Sequence, residues 1–97
     1  MRCWLLPALA CMLLQAGAVH AADAPPGATS CSGCHAASKA VDTAVPRING
    51  RKAVEIVAAL REFKSGARPA TVMGRIAKGF SDPDTDAIAA WFGAQSE

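Results

Sequence analysis

Cys31-Ser32-Gly33-Cys34-His35 packs most of the chain's reactive side chains into five positions. Two cysteines so close together cannot tie distant segments, so these two supply no disulfide framework. The other two, Cys3 and Cys11, sit in an N-terminal stretch of different character. Met1-Arg2 is a short positive start, Cys3 to Ala18 is almost continuously apolar, and Val19-His20-Ala21 offers small or aliphatic residues around a cut after Ala21. This is the layout of a secretory signal peptide over residues 1–21, leaving an exported domain over residues 22–97. An apolar run of about 17 residues is marginal for a membrane span, and Pro7 interrupts it. Ala8-Leu9-Ala10 fits a lipoprotein site before Cys11 poorly, and a lone Arg2 makes no twin-arginine signal. The expectation is a periplasmic protein with no membrane anchor after cleavage.

Composition reads differently once that segment is set aside. The whole chain has 97 residues, 52% hydrophobic and 19% charged. Removing residues 1–21 from the 97 leaves 76 and takes away Met1, Cys3, Trp4, Cys11, Met12 and His20. Cys31, Cys34, His35, Met73 and Trp91 are then the sole representatives of their types. Loss of Arg2 takes the formal charge from +2 to +1, too little to argue for nucleic acid. A chain this short also excludes a dinucleotide-binding fold or a TIM barrel.

The remaining pattern is helical. Thr29 or Ser30 can cap a short helix over Cys31 to Lys39. Residues 40–50, with Pro46, Asn49 and Gly50, read as a loop. Arg51 to Lys64 is the strongest helix, with Val54, Val57, Ala58, Leu60 and Phe63 at three- and four-residue steps and Gly66 after it. Thr71 to Lys78 predicts a short helix with Met73, Ile76 and Ala77 inward. Ser81 and Asp84 form a capping box for a last helix that runs to about Gln95, with Ile88, Trp91 and Phe92 inside. No stretch alternates as a strand does. The expected fold class is all-α, with three or four helices. At 76 residues, counted as above, its core is marginal without a staple, a metal or a cofactor.

C-x-x-C-H is the attachment signature of c-type haem. On one helical turn Cys31 and Cys34 can form thioethers to the two vinyl groups, and His35 beside them can serve as proximal iron ligand. A thioredoxin-like dithiol needs no histidine but would need a βαβ context, a zinc site would need about four ligands, and a local disulfide is the remaining alternative. For the distal position no second histidine remains, and Met73 is the one thioether. Lys39, Lys52, Lys64, Lys78 or an open site are its competitors, and an open site would point to a haem enzyme or gas sensor. Pro46 is the candidate to accept the free ring N–H of His35, or is a simple turn residue. Ile48, Leu60, Phe63, Ile76, Phe80 and Ile88 are candidate pocket walls, and Trp91 is expected to pack the first helix against the last.

These residues together resemble a small class I cytochrome c over nearly all of residues 22–97. The run Phe63-Lys64-Ser65-Gly66-Ala67-Arg68, then Ala70 to Asp82 through Met73-Gly74-Arg75-Ile76, is similar to the cytochrome subunit of flavocytochrome c sulfide dehydrogenase. That resemblance implies a class I cytochrome c fold wrapped around one covalent haem c. It also implies an electron carrier without catalytic residues of its own. Its donor would be an FAD-containing flavoprotein that oxidises sulfide, and its acceptor a downstream cytochrome or oxidase of a respiratory or photosynthetic chain. With a single C-x-x-C-H the chain departs from two-haem members, so electrons would pass directly onward. A freestanding cytochrome c shuttle, or the cytochrome subunit of another periplasmic dehydrogenase such as a sulfite-oxidising one, is the alternative. Arg61, Lys64, Arg68, Arg75 and Lys78, against one acid, Glu62, form a basic stretch that could face a partner or merely solvent.

Overall fold

The computed structural model describes residues 23–96, so the signal-peptide expectation for residues 1–21 lies outside the described residues. Four helices follow in order: α1 (Ala28–Cys31), α2 (Ala53–Ser65), α3 (Met73–Ala77) and α4 (Asp82–Gly93). Among the described residues there is no strand, and no helix is long and apolar enough to cross a membrane. The chain is helical, as its periodicity implied.

α4 starts where the local chemistry requires. The Ser81 hydroxyl accepts from the Asp84 amide at 3.2 Å, and the Asp84 carboxylate accepts from the Ser81 amide at 3.2 Å. Each satisfies a donor that the first helical turn leaves unpaired. The Ser81 hydroxyl and amide bonds, and then the charge of Lys64, hold the Asp84 carboxyl below its ordinary value. α4 ends at Gly93, slightly before the expected Gln95, with the Gln95 amide still bonded to the Phe92 carbonyl at 3.1 Å.

The core lies where α4 crosses α1 and α2. Ala28, Ile56, Ile88, Ala89 and Phe92 are buried there, with Val57, Leu60, Phe80 and Trp91 packed around them. Burying Ile88 and Phe92 contributes about 1.5–3 kcal/mol each. Ala28 and Ala89 are both fully buried, so α1 and α4 meet through small side chains. Trp91 was expected at that junction; it stands half-buried beside it, edge-on to Phe92 at 4.8 Å.

Two expectations need correction. The inner face of α2 is turned from the one expected: Val54 is 71% exposed and Ala58 is also exposed, while Ile56 is buried. The Gly50 amide donates to the Phe92 carbonyl at 3.0 Å, which lays the end of α4 along the start of α2. Ala53, Ile56, Val57 and Leu60 therefore meet the core and Val54 swings outward. The helix expected over Cys31–Lys39 instead lies over Ala28–Cys31, capped by Gly27 at φ 89 with no side-chain cap from Thr29 or Ser30. Gly27 is needed there twice over. Its φ is left-handed, and a Cβ would run into the Phe80 ring. Past Cys31 the weak helix formers Ser32 and Gly33 give way to a turn. α3 likewise covers Met73–Ala77, the middle of the expected Thr71–Lys78.

Candidate functional site

The turn after α1 sets out the C-x-x-C-H side chains. The Gly33 and Cys34 amides donate to the Ser30 and Cys31 carbonyls at 3.2 Å each, and the His35 amide to the Cys31 carbonyl at 2.9 Å. This tightened turn keeps Cys31, Cys34 and His35 on one side of the chain, where all three line a single cavity of about 710 Å³. Both thiols are free. Cys31 is half-buried and its Sγ donates to the Gly27 carbonyl at 3.4 Å. Burial pushes its thiol pKa up, partly offset by a backbone hydrogen bond.

His35 Nδ1 lies 2.5 Å from the Pro46 carbonyl oxygen. A carbonyl can only accept, so Nδ1 carries a proton, and in the neutral imidazole the lone pair then lies on Nε2. The loop that brings Pro46 back also brings Val45 and Ile48 to the cavity.

The far wall comes from the other helices. Ile48, Leu60, Phe63, Ile76, Phe80 and Ile88, the expected wall residues, all line the cavity. So does Met73, half-buried at the first position of α3. Cys31, Cys34, His35 and Met73 thus share one apolar space, although Met73 comes from a different helix.

Other lining residues went unread in the sequence. Ile56 and Ala59 join Leu60 and Phe63 on the cavity side of α2. Their i, i+3, i+4, i+7 spacing was the available signal, but an overlapping stripe through Val54 and Ala58 competed with it. Arg51, Glu55 and Arg68 add charge to an otherwise apolar lining; Arg68 belongs to the basic stretch, and nothing in the sequence context of Arg51 or Glu55 marks them.

The basic stretch is less free than its composition implied. Arg61 pairs with Asp86 at 3.5 Å, Arg68 with Glu62 at 2.6 Å, and Lys64 Nζ donates to the Phe80 carbonyl at 2.6 Å. Arg75 and Lys78 are exposed.

Fold and site together define a small all-α chain with two thiols, an imidazole and a thioether around one apolar cavity. No protein-family model matches the chain. Over 68 residues, 70% of its length, it is 41% identical to the cytochrome subunit of sulfide dehydrogenase from Chlorobaculum tepidum. The chain is similar to that subunit, and the match spans 62% of the subunit's length.

Proposed function

We propose that this chain is a single-haem c-type cytochrome of class I fold, exported to the periplasm after removal of residues 1–21. It would take electrons from an FAD-containing flavoprotein that oxidises sulfide and hand them to a downstream cytochrome or oxidase. The observation that carries this reading is the gathering of Cys31, Cys34, His35 and Met73 on one apolar cavity. The similarity to a cytochrome subunit of sulfide dehydrogenase supports the choice of partner.

The residues fit the group. The cavity volume falls within the range of about 300–1,000 Å³ common for cofactor sites. Its donors are soft sulfur and imidazole nitrogen, the set that suits iron in a haem. When bound, haem c supplies a one-electron couple at its iron. Cys31 and Cys34 would hold it by thioethers, and His35 Nε2 and Met73 Sδ would ligate its iron.

The chain's own side chains do the rest. The Pro46 carbonyl holds the Nδ1 proton of His35 and fixes the ring orientation, leaving Nε2 free to serve as a ligand. Leu60, Phe63, Phe80 and Ile88 give the cavity an apolar wall that would shield a bound haem from water. Met73, as the second ligand to the iron, would raise the potential and leave no open position for substrate. In this reading the chain holds no catalytic acid, base or nucleophile, and the substrate chemistry belongs to the flavoprotein.

The test is rapid-mixing reduction of the oxidised holoprotein by sulfide, with and without a flavoprotein that co-purifies with it. Reduction at catalytic flavoprotein concentrations is expected, with little in its absence. A holoprotein that the flavoprotein leaves oxidised, but that another periplasmic dehydrogenase reduces, would turn the assignment toward a freestanding shuttle.

A further inference from the structure

The segment that carries Met73 has little burial to hold it in place. Residues 65–72 are all exposed, α3 is only five residues long and has no side-chain cap, and Ala77 is its one buried residue. A helix that short does not sustain itself. Two polar ties fasten the segment instead, and both come from the last turn of α2.

Before Met73, the tie is Arg68. Its Nε donates to Glu62 Oε2 at 2.7 Å, its backbone amide donates to the Glu62 carbonyl at 3.2 Å, and its guanidinium lies 5.4 Å from the centre of the Phe63 ring. Beyond Met73, the tie is Lys64, whose half-buried ammonium donates to the Phe80 carbonyl at 2.6 Å. Between them, Gly74 lies close enough to α2 that a Cβ there would touch the Phe63 carbonyl. Phe80 is itself wedged over Gly27 and lines the cavity, so a shift of its carbonyl would carry the wall with it.

We infer that Glu62 and Lys64 are positioning residues for Met73, gripping its segment on either side so that the thioether stays at the cavity. The inference rests on the reading of Met73 as an axial ligand. It gives two side chains of the basic stretch and its one acid an internal task. Lys64 carries the larger share, because a half-buried charged hydrogen bond outweighs an exposed ion pair.

The test uses the ferric holoprotein and imidazole, which competes with Met73 for the iron, with the far-red haem–methionine band as readout. Lys64→Leu should let imidazole displace Met73 about tenfold more readily. Glu62→Gln, at a side chain 45% exposed and therefore benign to folding, should do so about two- to threefold. Val57→Ala, packed against the buried core and outside the cavity lining, should lower the melting temperature yet leave imidazole affinity unchanged. Wild-type affinity in both Lys64→Leu and Glu62→Gln would overturn the inference. So would a rise in Val57→Ala equal to that in Lys64→Leu. A wild-type protein with no far-red band would instead remove the ligand reading itself.

Discussion

Residues 27–50 and residues 53–93 are built on different principles. The second stretch consists of helices with recognisable ends: Ser81 and Asp84 at the start of α4, and Gly66 at φ 83 closing α2. Its core side chains, Ile56, Ile88, Ala89 and Phe92, bury against one another. The first stretch has one four-residue helix, a turn, and a run from Ala37 to Pro46 that is exposed throughout. Many of its ties are local, such as Ala40 to Ser38 and Val45 to Thr43, and His35 to Pro46 reaches across the loop. The helical part can be stabilised by its own packing. The loop part has its reason for order on the cavity side, where Cys31, His35, Pro46 and Ile48 face a common space.

The largest break in this comparison comes from preventing attachment. Replacing Cys31 and Cys34 together by serine should leave the amides of residues 32–50 almost unprotected in hydrogen exchange. Those within 56–64 and 85–93 should keep part of their protection. Uniform loss over both stretches would erase the distinction. Phe92→Ala strikes the other part. Truncating a fully buried aromatic costs about 3–5 kcal/mol, read as a lower denaturant midpoint. Gly27→Ala acts where the two stretches touch, because a Cβ meets Phe80 and the backbone is left-handed. A cost of about 1–3 kcal/mol is expected.

The smallest effect sharpens the account of α4. Ser81→Ala removes a cap bond worth about 1 kcal/mol. It also changes the pH response. Asp84 titrates below its ordinary 3.8 when folded, so its contribution is present above that value and is lost as pH falls through the lower folded one. Denaturation curves across acid pH should therefore show a smaller Asp84 component in Ser81→Ala than in the parent, because the Ser81 amide and Lys64 still lower the carboxyl once the hydroxyl is gone.

How far the sequence could be read follows the same division. Ser81, Asp84 and Gly66 act through neighbours a few positions away, so the close of α2 and the start of α4 are legible. The C-x-x-C-H run and Met73 were singled out as chemistry, and the structure places them on one cavity. What stayed hidden depends on contacts between segments. Which stripe of α2 faces inward is decided by where α4 lies: with Gly50 bonded to Phe92, Ile56 is buried and Val54 is exposed. The short helix was misplaced because Gly27, needed for its closeness to Phe80, starts the turn earlier than Thr29 or Ser30 would. Lys64 and Arg68 looked like surface charge because their partners, Phe80 and Glu62, become partners only once the segment folds back.

The central claim is that Cys31, Cys34, His35 and Met73 hold one haem. It is tested most directly on protein exported from cells able to attach haem c, by intact mass together with the far-red spectrum of the ferric form. The account predicts the mass of residues 22–97 plus one haem that survives denaturation, and a haem–methionine band that disappears in Met73→Ala. A mature chain without covalent haem, or a band that persists in Met73→Ala, would contradict it.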